Sequence, residues 1–201
     1  ENFYKAKISP DPKRPLSYGL NSQLVKQDGV LAERVYKSGG LYGAAIDKII
    51  SWLEKAKAVA ENKAQGEALG LLIAYYKTGD LQTWDDYNVA WTSATDGNID
   101  YINSFIEVYN DPVGYRGSYE TVVQIKDFEM SQKMAVLSEN AQWFEDNSPL
   151  MQAHKKANVV GVTYKVVDVA GEAGDASPST PIGVNLPNAN WIRAAVGSKS
   201  V

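Results

Sequence analysis

Three stretches in the first half of the chain repeat apolar residues at helical spacing. In "GGLYGAAIDKIISWLEKAKAVAEN", Ile46, Ile49, Ile50, Leu53 and Ala56 fall on one face, with Lys48, Glu54 and Lys55 on the other. Gly39, Gly40 and Gly43 precede this helix as a loop. In "AQGEALGLLIAYYKTGD", Leu69, Leu72, Ile73 and Tyr76 form a second buried stripe, and Gly79 reads as the stop. "TWDDYNVAWTSA" predicts a third helix with Trp84, Tyr87 and Trp91 on one side. Thr83 reads as its N-cap, and Asp85 and Asp86 as first-turn acids that suit the helix dipole. Aromatic stripes of this kind are core before they are cofactor sites.

The period then changes. Ile99, Ile102 and Ile106 keep a helical option open. From Ser104 an alternation of two competes, with Phe105, Glu107 and Tyr109 on one face and Ile106 and Val108 on the other. "NDPVG" is turn chemistry and Tyr119 to Ile125 a β-branched run, so the segment predicts strand–turn–strand. A helix follows, with Met130, Met134, Leu137 and Ala141 on one stripe. "SPLMQAHKKAN" is a loop, "VVGVTYKVVDVA" is β-rich, and "GEAGDASPSTP" carries no packing pattern. "PIGVNLPNANWIR" reads as a short strand broken at Pro187, then a helical turn at Trp191. The fold class is therefore α+β: a mainly helical segment over 1–100, then a β-rich segment over 101–201 with an inserted helix at about 127–145. Together they read as one partial domain of a longer protein.

Composition narrows the function classes. The 201 residues are 44% hydrophobic and 22% charged, as in globular proteins with a buried core. A net charge of -4 offers no basic stripe for nucleic acid. No apolar run approaches a bilayer span, and the N-terminus lacks the apolar core of a secretory signal. Without cysteine there is no disulfide, thiolate zinc site or cysteine nucleophile, which fits a cytoplasmic location. The one histidine, His154, cannot build a His–His zinc site, and a Ser-His-Asp triad would rest on it alone. A solvated loop or helix-end residue is the simpler reading. No dinucleotide or phosphate-loop glycine pattern occurs in a strand–helix context.

Two apolar strands carry polar residues that burial would not choose. "SFIEVYNDP" sets Glu107 and Tyr109 on one face, and "PIGVNLPN" sets Asn185 and Asn188 around a proline that cannot donate to a ladder. Side by side, they would form a carboxylate, a phenol and two amides around one spot. Such a cluster suits an ammonium group, whose three N–H donors need acceptors and a countercharge. The strand edge near Pro187 could pair with an extended peptide. The plainer alternative is turn chemistry around a proline, with Glu107 an exposed strand residue.

At these residues the chain resembles a known family. "FIEVYNDPVGYRGSYE" resembles the Phe-Ile-Glu-x-Tyr-x-Asp-Pro-x-Gly segment of the dipeptidyl peptidase III family, and "PIGVNLPNANWIR" its Gly-Ile-Asn-(Ile/Leu)-Pro-Asn segment. "AAIDKIISWLEKAKAVAENKAQGEALGLLIAYYKTGD" is similar to the helices that precede them, while "GLNSQLVKQDG" and "NAQWFEDNSP" look most like bacterial members. The resemblance implies a zinc exopeptidase that releases dipeptides from the N-termini of short peptides. It implies two lobes, a helical one bearing zinc and one with a β-barrel core whose strand the peptide joins. Carried across, Glu107 matches the glutamate that binds the substrate ammonium, Tyr109 its neighbouring tyrosine, and Asn185 and Asn188 the asparagines of that subsite. Pro181, Ile182 and Gly183 fall where the family strand meets the peptide backbone, with Ile182 where relatives can have alanine. Glu120 matches an acid of the same lobe, and "AAV" in the tail replaces more polar residues.

The family's zinc motif, His-Glu-x-x-Gly-His, and its later glutamate are absent from these residues and are expected downstream of Val201. By this resemblance the chain is a substrate-binding fragment, inert alone. Its partners are short peptides with a free N-terminus and the missing zinc-bearing lobe, with no nucleic acid and no membrane. The helix from Phe128 to Phe144 is a candidate for that other lobe, which would leave its apolar face uncovered. The competing readings are a stand-alone peptide-binding or scaffold module, and an enzyme using His154.

Overall fold

The computed structural model describes residues 1–160, 164–178 and 183–200. In chain order the helices are α1 (Asn2–Lys5), α2 (Gly43–Ala58), α3 (Lys63–Thr78), α4 (Leu81–Ser93), α5 (Phe128–Glu139), α6 (Ala141–Asp146) and α7 (Asn190–Ala195). The strands are β1 (Ser22–Gln27), β2 (Val30–Val35), β3 (Ile99–Glu107), β4 (Ser118–Asp127), β5 (Val166–Gly174), β6 (Asn185–Leu186) and β7 (Lys199–Ser200). The fold is thus mixed α and β. Among the described residues the strands form open sheets ordered β1-β2, β3-β4-β5 and β6-β7, none closed on itself.

The chain divides into two compact units. The first comprises Glu1–Gly97, Ile102–Thr121 and the residues from Glu172 onward. Its core is the layer in which α3 packs against both α2 and α4. Leu72, Tyr75 and Tyr76 of α3 are fully buried, Ile46, Ile50 and Leu53 close over them from α2, and Trp84, Tyr87 and Trp91 from α4. Burying a side chain such as Leu72 contributes roughly 1.5–3 kcal/mol. The rings of Tyr75, Trp84 and Tyr87 follow one another at 5.0 and 5.2 Å, distances at which tilted aromatic pairs attract. The α2 stripe is narrower than its spacing suggested: Ile49 is only half-buried, Ala56 is exposed, and Gly43 already belongs to the helix.

Helix boundaries follow from capping. Asn62 accepts from the N–H of Gln65, and the Gln65 side chain accepts from the N–H of Glu61, so α3 starts with two backbone donors satisfied. Gly79 ends it in the left-handed region at φ 72, donating to the Tyr75 carbonyl. The cap of α4 is Asp80, whose Oδ2 accepts from the N–H and hydroxyl of Thr83. Thr83 was the expected cap, but a carboxylate three residues earlier makes the stronger, charge-assisted bond. Asp85 therefore lies beyond the first turn and is buried.

The expected helical N-terminal part also holds a hairpin. β1 and β2 pair antiparallel from Ser22↔Val35 to Gln27↔Val30, joined by Asp28 and Gly29 at φ 51 and 85. Positive φ at both turn residues matches the right-handed strand twist. Glu33 accepts from the Ser22 hydroxyl and pairs with Lys7, which pins the N-terminal segment to the hairpin.

β3 begins at Ile99, so the helical option for Ile99–Ile106 is corrected: Phe105 and Ile106 are both buried, which a strand covered on two faces requires. It ends at Glu107, leaving Tyr109 in the turn. β5 runs on to Gly174, so part of the expected loop is strand.

The second unit comprises Asn98–Tyr101 and Val122–Gly171. The expected single helix is interrupted at Asn140, giving α5 and α6. Of α5 only Ser131 is buried. Its hydroxyl bonds both the N–H and the carbonyl of Val166, anchoring the helix to the start of β5. The apolar stripe is covered only in part: Met130 is 41% exposed and Met134 and Leu137 are half-buried, and on α6 Trp143 is 59% exposed. His154 is exposed in a short 3-10 turn. No helix among the described residues is long and apolar enough to cross a membrane.

Candidate functional site

Glu107 is the last residue of β3, and the chain then turns sharply. Asp111 holds the turn: its Oδ2 accepts from the N–H groups of Tyr115 and Arg116 at 2.8 and 2.9 Å. The Arg116 N–H is the main reason its carboxyl sits below the usual range. Asn110 reaches Asp175 at 3.1 Å and Ser118 at 3.2 Å, tying the turn to β4 and the segment after β5. Tyr109 projects from this turn, 85% exposed. Its phenol is held above its ordinary pKa, first by the negative charge of Glu107 and then by a hydrogen-bonding contact to it.

The asparagine segment is built by α7 and the β6–β7 pair. Leu186 and Pro187 are buried, while Asn185 in β6 and Asn188 just beyond it lie exposed on either side of them in the chain. Asn185 pairs with Ser200 and Leu186 with Lys199, and the Ser200 hydroxyl donates to Asn185 Oδ1 at 3.3 Å. Arg193 grips the segment from α7. Its Nε donates to the Pro187 carbonyl and its Nη2 to the Asn185 carbonyl, both at 2.6 Å, while Nη2 also reaches Asn188 Oδ1 at 3.2 Å.

That last contact orients Asn188. Guanidinium only donates and carboxylate only accepts, so the amide must turn its oxygen to Arg193 and its nitrogen to Glu107. Asn188 Nδ2 donates to Glu107 Oε1 at 3.1 Å, joining residues 81 positions apart. Glu107, Tyr109 and Asn188 thus meet. Asn185 keeps its side chain on Ser200, Gly183 is exposed, and Pro181 and Ile182 lie outside the described residues.

Glu120 of β4 stands close behind. It is only 5% exposed, and its Oε1 takes no hydrogen bond. Burial, then the charges of Glu107 and Asp175, push its pKa up to about 7. The corner is therefore acidic. A cleft of about 670 Å³ opens beside it, walled by Tyr4 to Tyr18, by the Trp84–Trp91 face of α4, by Glu107 at the end of β3 and by residues 186–189. That volume suits a small ligand. One wall holds Asp85, 2% exposed, with Oδ2 unbonded and a pKa pushed up to about 7 by burial and the nearby Asp86 charge. Among the described residues no group of three or more His, Cys, Asp or Glu side chains comes together to hold a metal ion.

Sequence reasoning did not single out Arg193, Asp85 as a buried acid, or Lys199. A signal existed for Arg193 alone: an arginine five residues after an asparagine on a broken strand is placed to take up carbonyls that the ladder leaves open.

Known proteins share this fold and these segments. The family model described as Peptidase family M49 matches residues 19–201. Dipeptidyl peptidase 3 of Homo sapiens is 30% identical over 162 residues, covering 81% of this chain and 22% of that protein. The solved structure of DPP III from Caldithrix abyssi superposes with a TM-score of 0.76 at 25% identity, covering 92% of this chain and 35% of the other. Dipeptidyl-peptidase III from Corallococcus sp. strain EGB shares the fold at a TM-score of 0.70 and 21% identity, over 100% of this chain and 36% of that one. The chain thus spans between a fifth and a little over a third of the proteins it matches. With a family model running from residue 19 to the last residue, and dipeptidyl peptidase III relatives in both sequence and fold, the chain belongs to peptidase family M49.

Proposed function

We propose that this chain is the substrate-binding part of a zinc-dependent dipeptidyl peptidase, within a barrel-cored lobe, and that the whole enzyme removes dipeptides from the N-termini of short peptides. The hydrogen bond from Asn188 to Glu107 carries this reading, because it brings a carboxylate and an amide from distant segments to the rim of one cleft. The leading ammonium of the peptide donates to Glu107, with Tyr109 and the amide oxygens of Asn185 and Asn188 as further acceptors. The peptide backbone meets Pro181, Ile182 and Gly183, which precede β6 in the chain. Glu120, buried behind, adds to the negative potential once it ionises. Zinc would be held by residues outside this chain, since the donor groups described here form no ligand set. The chain's own work is binding and orientation, and alone it is inactive.

The test compares a short peptide with its N-acetylated form by calorimetry on the full-length protein. A charged hydrogen bond is worth roughly 1.5–3 kcal/mol, so the free amine should bind at least about tenfold more tightly. Glu107→Gln, which keeps the shape and removes the countercharge, should bring the two affinities together. An equal response of both peptides to the substitution rules out the ammonium role. Binding without release of dipeptides by the zinc-loaded protein would leave a peptide-binding module in place of a peptidase.

A further inference from the structure

Asn185 opens a two-residue strand, β6, which is too short to hold its own position, and Asn188 follows two residues after its end. What fixes it lies on the partner strand. Lys199 is the Cα partner of Leu186, and the next residue, Ser200, pairs with Asn185 and donates to its side chain. The Lys199 side chain leaves the ladder and crosses to α4. Its Nζ donates to the Ala94 carbonyl at 2.9 Å, just past the end of that helix, and sits 4.4 Å from the centre of the Trp91 ring. The ring contact needs the positive charge, and the hydrogen bond is strengthened by it. A helix C-terminus presents unsatisfied carbonyls and the negative end of the dipole, and an indole face attracts a cation. Trp91 is 5% exposed and belongs to the packed core, so Lys199 ties a flimsy ladder to a rigid surface.

We infer that Lys199 is a positioning residue for the ammonium site: it touches no ligand, but it sets where β6 lies and hence where Asn185 stands and where Asn188 meets Glu107. This rests on the ammonium reading given above. A misplacement of about 1 Å at such a site can cost a large part of the binding. The signature of the role is therefore lost selectivity at the remote amides, over and above any lost stability.

The experiment measures affinities of a free-amine peptide and its N-acetylated form on full-length protein carrying Lys199→Met, Lys199→Arg or Lys199→Gln, with Glu107→Gln as reference. Lys199→Met keeps the aliphatic stem and should lower the free-amine preference about tenfold. Lys199→Arg retains charge, donor and ring contact, and should restore most of it. Lys199→Gln keeps a donor without charge and should fall between. A Lys199→Met protein with wild-type preference, beside a Glu107→Gln protein that has lost it, overturns the positioning role and leaves the ammonium site standing. If Glu107→Gln keeps the preference, the ammonium reading fails and this inference with it. Should Lys199→Met not fold, Lys199→Gln decides: unchanged preference refutes the role, and a loss rescued by Lys199→Arg supports it.

Discussion

Asp85 offers a quantitative check of the packing around the cleft. It lies on α4, 2% exposed, with Oδ2 sealed from water and unbonded. Burial comes first among the causes that raise its pKa, followed by repulsion from Asp86, while the Trp191 indole N–H pulls it back and Asp80 adds a smaller push. Its pKa in the fold is about 7, against an ordinary 3.8. The native state therefore holds a proton that the unfolded chain has released anywhere between those values. Stability must fall as pH rises through that window and level off above about pH 7. The difference of about 3 pH units corresponds to a ceiling of about 4 kcal/mol, and relaxation of the site reduces this to about 2. Asp85→Asn preserves the shape and removes the titration, at a cost of about 1 kcal/mol for altered hydrogen bonding. Near pH 4.5 the variant should equal the wild type or be slightly less stable. At pH 8 it should be more stable by about 1 kcal/mol or more. Urea unfolding of the 201-residue chain at pH 4.5, 6.5 and 8, followed by tryptophan fluorescence, reads this out, since Trp84 and Trp91 lie on the same helix. A stability difference that stays constant across the three pH values refutes the buried-acid assignment.

Two further substitutions probe other joints of the same unit. Gly79→Ala places a Cβ 2.5 Å from Val35 Cγ1 at a φ of 72, so it should cost at least about 1–2 kcal/mol, seen as a lower Tm; an unchanged Tm would contradict the left-handed cap. Arg193→Met removes the donor shared by the Asn185 and Pro187 carbonyls and by Asn188 Oδ1, freeing the Asn188 amide to rotate away from Glu107. Free-amine peptide affinity should fall about tenfold in calorimetry, while a wild-type value would show that Asn188 is oriented without it.

Much of the helical core was legible because one physical rule writes it. Ile46, Ile50 and Leu53, then Leu69, Leu72, Ile73 and Tyr76, then Trp84, Tyr87 and Trp91, recur at the spacing that puts apolar groups on one side of a helix, and all of them are buried. The β1–β2 hairpin was equally open to reading, since Asp28-Gly29 between "SQLVKQ" and "VLAERV" is strong two-residue turn chemistry, but the segment has no strict alternation to draw notice. Local pattern misled where it had two solutions. Ile99, Ile102 and Ile106 satisfy a helix as well as a strand covered on both faces, and only pairing decides between them. On α5 the periodicity of Met130, Met134 and Leu137 is genuine, yet Met130 stays 41% exposed because amphipathic spacing says which face can be covered, not what covers it.

The candidate site divides along the same line. Glu107, Asn185 and Asn188 stood out because each is polar in a run that would otherwise be apolar, and Tyr109 came with them by alternation alone. The groups that hold them in place did not stand out. Arg193, Lys199 and Asp85 are ordinary surface types in sequence, and each acquires its role from an acceptor, a ring or a seal supplied elsewhere in the chain. The Asn188–Glu107 bond spans 81 positions and the Lys199–Ala94 bond 105, so neither partner carries a local trace of the other. The polar residues displayed at such a corner can be read from a single strand. The frame that sets their spacing arises only when α4, α7 and the β6–β7 ladder are assembled. Substitutions in that frame are therefore the more searching test, because they alter the geometry of the corner while leaving every displayed group in place.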